Sequence, residues 1–128
     1  MKINRIIVNN IGSYEGENIF NISEQNDAGK IVLVGGKNGA GKTTLFNAIK
    51  TCTYGYKEGG YQSINSFYKK KVKKLINNTA KRIDGSEAYI DIEFSIISGT
   101  DCIEYKINRC WHVAGNDIEE SLVIYKDG

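Results

Sequence analysis

The chain has no apolar run long enough to cross a bilayer, and its start, Met1-Lys2-Ile3-Asn4-Arg5, lacks the apolar core of a secretory signal. The expectation is a cytoplasmic protein with no membrane partner. Cysteine and histidine are scarce. Cys52, Cys102 and Cys110 stand far apart without a C-x-x-C pair, and His112 is the single histidine. That spacing argues against a metal centre and predicts buried, reduced thiols. Excess charge is missing as well. Seventeen basic residues face 15 acidic ones, a net of +2, so total charge gives no argument for nucleic acid. Internal repeats, low-complexity tracts and coiled-coil heptads are absent too.

What remains is ordinary for one small domain with a real core: 128 residues, 41% apolar and 25% charged. Only the distribution of charge stands out. Lys69, Lys70, Lys71, Lys73, Lys74, Lys81 and Arg82 cluster in one stretch. The plain reading is a solvated helix face, and the sharper one a contact to a phosphate backbone.

The chemistry is concentrated at Gly36-Lys37-Asn38-Gly39-Ala40-Gly41-Lys42-Thr43, a complete G-x-x-x-x-G-K-T loop. Glycines let the backbone curl so that its N–H groups point at phosphate oxygens. The lysine reaches the β- and γ-phosphates, and the threonine hydroxyl binds Mg²⁺. A random chain this long would carry the pattern about 0.5% of the time, so its surroundings have to support it. Ile31 to Val34 is a short β-branched run, read as a strand buried on both faces. Leu45, Phe46, Ala48 and Ile49 follow as a helical apolar stripe. Strand, glycine loop and helix together are the context the motif needs, and the helix adds its N-terminal dipole.

Periodicity supplies the other elements. Residues 3–8 read as a strand, Gly12 to Gly16 as a turn, and 18–22 as a second strand closing a hairpin. Residues 23–30 read as a polar loop. A helix is predicted from about Thr43 to Tyr54, then a loop over 55–62. Ile64, Phe67, Tyr68, Val72, Leu75 and Ile76 predict a helix over 63–78, capped by Ser63 and stopped at Asn77-Asn78. The period then becomes two. Ala88 to Ile96, Ile103 to Trp111 and Ser121 to Tyr125 predict an antiparallel three-strand meander. Its acidic residues, Asp91 and Glu93, along with Asp84 just before it, read as a solvated face, and Trp111 with most of the eight tyrosines as packing residues. The closing Asp127-Gly128 is a hairpin-turn signal, which makes the chain look like part of a longer domain.

Met1 to Gly16, Ile31 to Leu45 with Asn38 inside the loop, and Ala88 to Phe94 followed by Tyr105 to Arg109 resemble the N-terminal lobe of SMC/RecF/SbcC-type ABC ATPases. Within that group, Gly35-Gly36-Lys37, Arg109-Cys110-Trp111 and Tyr125 to Gly128 look most like the DndD ATPases of bacterial DNA phosphorothioate modification. The resemblance implies an α/β P-loop NTPase fold, an ABC-ATPase-like lobe carrying an antiparallel β layer. It implies ATP and Mg²⁺ as cofactors, held by Gly36, Asn38, Gly39, Ala40, Gly41, Lys42, Thr43 and Thr44. Lys42 would be the catalytic residue and Thr43 the Mg²⁺ ligand. Ser13 and Tyr14 match the segment near the nucleotide base; the group often has a basic residue before that serine, where this chain has Gly12. Implied partners are DNA, a second ATPase head and, for the DndD type, other DNA phosphorothioation proteins.

The sequence holds no LSGGQ-like signature, no apolar run ending in paired acids and no Q-loop glutamine. Phosphoryl transfer depends on such positioned groups, so the expectation is an ATPase of which this chain alone is inactive. Three alternatives stand beside it. A repair or recombination ATPase of the SbcC/RecF type shares the same lobe. A self-contained phosphotransferase or GTPase-like switch would need an acidic Mg²⁺ strand or an N-K-x-D motif, and neither is present. A nucleic-acid-binding module would act through residues 69–82.

Overall fold

The computed structural model describes residues 2–22 and 42–127, the side chains of Lys42 and Thr43 excepted. Strands β1 (Lys2–Ile11) and β2 (Tyr14–Asn21) form the hairpin. Helix α1 spans Lys42–Tyr54 and α2 spans Ser66–Leu75, with short 3-10 turns at Gly55–Gly59 and Ala80–Arg82. Strands β3 (Glu87–Ser98), β4 (Asp101–Ala114) and β5 (Asp117–Asp127) complete the order. The predicted strand at 31–34 and polar loop at 23–30 lie outside the described residues.

Sequence patterning predicts the hairpin and the meander as separate units. The structure joins them in one antiparallel sheet, ordered β2-β1-β3-β4-β5. The seam is β1 against β3, with Ile6 opposite Ile92 and Val8 opposite Ile90. These β-branched side chains all point to one face, where burial of each contributes about 1.5–3 kcal/mol. A register shift between Asn9 and Ile11 then turns Ile11 towards the same face. Asn10 absorbs the extra residue at φ 55°. Its side chain accepts from the Gly16 N–H at 2.9 Å and donates to the Glu87 carbonyl at 3.0 Å.

Both helices cover this face. Leu45, Ala48 and Cys52 of α1 and Tyr68 and Val72 of α2 are buried against Ile90, Ile92, Trp111 and Val113. Phe46, predicted on the buried stripe, is instead 61% exposed, and the Lys50 ammonium sits 5.0 Å from its ring centre. Helix α2 is shorter than its pattern suggests. Asn65 caps it in place of Ser63, accepting the Tyr68 N–H at 2.9 Å. That cap leaves Ile64 outside the helix and exposed, and Phe67, in the first turn, is exposed as well.

A buried ion pair sits within the apolar layer. The Arg109 guanidinium lies 2.9 Å from Glu120, both side chains under 10% exposed. Arg109 Nε also donates to the Cys52 carbonyl at 3.0 Å, in the last turn of α1. Glu120 accepts from Trp111 Nε1 at 2.7 Å and from the Tyr68 hydroxyl. Trp111 thus packs in the core as expected, with its indole N–H satisfied. Gly55, at φ 60°, makes room: a Cβ there would lie 2.7 Å from the guanidinium.

The opposite face is a polar ladder: Tyr89 to Glu17, Asn108 to Asp91, Arg5 to Glu93, and Asn4 to Ser95 at 2.7 Å. Asp91 corrects the solvated-face expectation. It is buried in a central strand, where its carboxylate takes the Asn108 amide and lies 3.6 Å from the Lys106 ammonium. Glu93 is half-buried on Arg5, whereas Asp84 is exposed and accepts the Gly115 N–H at 2.8 Å.

The thiols also divide. All three are free; Cys52 is buried, Cys110 half-buried and Cys102 exposed, so burial holds for Cys52 alone. Burial pushes the Cys52 thiol up to about 12 and that of Cys110 up to about 11. Because the thiolate is the nucleophile, an alkylating reagent at mildly alkaline pH is expected to label Cys102 first and Cys110 slowly. Cys52 should react only on unfolding. Mass spectrometry of the labelled peptides checks the order. Folded Cys52 reacting as fast as Cys102 would contradict this packing.

Candidate functional site

Of the sequence-predicted site residues, Gly36, Asn38, Gly39, Ala40 and Gly41 lie outside the described residues. Lys42 and Thr43 open α1, so the helix begins where the loop motif ends. The first turn of a helix leaves its N–H groups without intrahelical partners, and the dipole makes this end positive. No acidic side chain of the first turn of α1 offsets that charge.

The turn between β1 and β2 lies against this end of the helix. Gly12, at φ 55°, packs so closely on Thr44 that a Cβ would overlap the threonine methyl. Two further bonds hold the turn. The Gly12 N–H donates to the Leu75 carbonyl at 2.7 Å, and its carbonyl accepts from Asn77 Nδ2 at 2.8 Å. Asn77 Oδ1 also accepts from the Thr79 N–H at 3.0 Å. One asparagine therefore ties the end of α2 to the turn that abuts α1. Ser13 follows at the exposed tip. Tyr14 is half-buried and its ring meets Phe20 edge-to-face at 5.8 Å, so its ring packs within the hairpin. The structure thus brings Thr44, Ser13 and Tyr14 to one corner.

A cavity of about 270 Å³ runs from this corner between α1 and α2. Thr44, Asn47 and Thr51 line one side, and Glu58, Lys71 and Lys74 stand among the residues facing them. Sequence reasoning missed Asn47, Thr51 and Glu58. The available signal was the i, i+3, i+7 polar row at 44, 47 and 51, overlooked beside the apolar stripe. Glu58 is 3.2 Å from the Lys50 ammonium and also pairs with Lys71. The Lys71 hydrogen bond, then that of Lys50, holds its carboxyl below the usual range. A larger hollow, about 710 Å³, lies at the other end of β1 beside Lys2, Arg5 and Glu93, and is lined by none of the predicted site residues.

The basic stretch is largely engaged within the fold. Lys69 is 3.2 Å from Asp117, Lys71 pairs with Glu58, Lys73 donates to the Asn116 carbonyl, and Lys81 donates to the Lys73 carbonyl at 2.9 Å. Lys70, Lys74 and Arg82 are exposed. Only Lys69 and Lys71 meet carboxylates; the bonds of Lys73 and Lys81 to carbonyls tie the segment to the fold and leave its charge in place.

Among the described residues no helix is long and apolar enough to cross a membrane. No curated protein matches the chain significantly. The family model of the AAA domain does match, over residues 5–127. With that match spanning both the glycine loop and the sheet, the chain belongs to this AAA domain family, an SMC/ABC-ATPase-like group.

Proposed function

We propose that this chain is the ATP-binding N-terminal lobe of a cytoplasmic, DNA-processing SMC-like ATPase that works in DNA phosphorothioate modification, as DndD does. The observation that carries the reading is the G-x-x-x-x-G-K-T sequence running directly into α1, in a chain matched to the AAA domain from residue 5 to 127. The loop amides and Lys42 would hold the triphosphate, and the Thr43 hydroxyl would hold Mg²⁺. The metal, when bound, neutralises charge on the phosphoryl oxygens. The finer assignment to phosphorothioation rests on the resemblance of Gly35 to Lys42 and Arg109 to Trp111. DNA, a second head and the other phosphorothioation proteins are its proposed partners.

Within this reading the chain supplies half a site. It offers a phosphate cradle, a lysine and one metal ligand. It contains no signature motif and no acidic strand end to orient the attacking water. The purified chain is therefore expected to release no phosphate from ATP above the level of Lys42→Ala. A phosphate-release assay on both proteins checks this. Turnover by the chain alone that disappears in Lys42→Ala would show the site to be complete, against the proposal.

A further inference from the structure

We propose that the second half of β5 pairs edge to edge with the same half-strand of a second copy, joining two chains through one continuous antiparallel sheet. The inference does not rest on the phosphate-loop reading, and the pairing is expected without nucleotide.

Strand β5 is an edge of the five-stranded sheet, and no strand among the described residues pairs with its outer side. Its two halves differ. The first is held by α2: Lys69 meets Asp117, the Tyr68 hydroxyl donates to Glu120, and Ile118 is buried. From Ser121 the strand leaves this cover. Leu122, Val123, Ile124 and Tyr125 are all exposed, and alternation of successive side chains puts apolar surface on both faces. The other edge, β2, carries Glu15, Gly16 and Glu17. No charge interrupts β5 from Ser121 to Tyr125, whereas exposed edge strands ordinarily carry a charge or proline that repels a partner.

The backbone of this half is set to receive a strand. The Val113 N–H donates to the Ser86 carbonyl at 2.9 Å, so odd-numbered residues of β4 bond towards β3. Even-numbered ones bond towards β5, where their partners include Ser121, Val123 and Tyr125. Leu122, Ile124 and Lys126 are left with N–H and C=O groups directed outward. Ile118 shares that outward register, but its N–H already donates to the Asp117 carboxylate at 2.8 Å.

A twofold axis through Ile124 brings these groups of two chains together. Ile124 then faces Ile124 of the copy, Val123 faces Tyr125, Leu122 faces the stem of Lys126, and Ser121 faces Asp127. The β-branched–aromatic pair is made twice, and no like charges meet. An axis through Val123 would instead set Glu119 against Asp127. With the axis at Ile124, α2 and its copy lie at opposite ends of the joint. Half a strand from each chain is a small interface, so a reversible dimer with Kd of about 10–1,000 µM is expected.

Sedimentation of the chain without nucleotide, from about 10 µM to about 1 mM, measures the dimer. Ile124→Pro removes an N–H that the β4 ladder does not use, which an edge strand tolerates. Ile124→Lys keeps the backbone and sets two ammonium groups face to face. Each is expected to weaken dimerisation at least about tenfold with the circular dichroism spectrum unchanged. In a Cys102→Ser background, Ile124→Cys should form an interchain disulfide, its Cα atoms about 5.5 Å apart, and Val123→Cys should not. A chain monomeric throughout would overturn the proposal and leave this edge to a strand of another protein. A dimer that both Ile124 variants leave intact would overturn it as well, and a disulfide through Val123→Cys alone would overturn its register.

Discussion

Glu120→Ala is expected to cost about 3–5 kcal/mol of folding stability, the range for breaking a buried ion pair from one side. Removing the carboxylate strands three donors at once: the Arg109 guanidinium, the Trp111 indole and the Tyr68 hydroxyl. Small domains hold about 5–15 kcal/mol in total, so the variant should be close to unfolding. Glu120→Gln keeps an oxygen for Trp111 and Tyr68 but leaves Arg109 buried without a counter-charge, and its loss should fall between. Urea unfolding followed by the fluorescence of Trp111, the sole tryptophan, measures both. A loss under about 1 kcal/mol for Glu120→Ala would mean that water reaches Arg109.

The same cluster sets an alkaline limit. Burial, and then the bond to Glu120, push the Tyr68 hydroxyl above the ordinary tyrosine range. A raised folded value means that this contribution is intact below the unfolded value, about pH 10, and is lost as pH climbs beyond it. Tyr68→Phe is therefore expected to flatten the stability profile above about pH 10.

Gly12→Ala should be the most damaging small change at the candidate site. A left-handed residue with a Cβ costs about 1–2 kcal/mol, and the methyl would also overlap Thr44, adding about 1–3 kcal/mol of overpacking. Thr44→Ser removes the methyl it strikes. The double variant is expected to recover the overpacking part and keep the backbone part, a coupling of about 1–2 kcal/mol in a double-mutant cycle. Strict additivity would show that the turn and α1 do not touch.

Local patterns in the sequence carried most of the fold. Period-two alternation located β3, β4 and β5, and the glycine loop located the start of α1. What could not be read was long-range. The pairing of β1 with β3 joins residues 80 or more positions apart, and alternation says nothing about which strands meet. Asp91 looked solvated because its neighbours alternate cleanly, yet a central strand buries both faces wherever side chains such as Asn108 and Lys106 lean over it. The Arg109–Glu120 pair was invisible because charge in a strand reads as surface unless its partner is known. At the site, the sequence pointed to a phosphate loop but not to the groove beside α1, where Asn77 and Gly12 tie the end of α2 to the turn that packs on Thr44.

Equilibrium binding of Mg-ATP to the chain and to Lys42→Ala tests the central claim most directly. Weak, Mg²⁺-dependent binding by the chain, reduced at least tenfold by removal of the lysine charge, is the expected result. Equal binding by the two proteins would contradict a phosphate site at the start of α1.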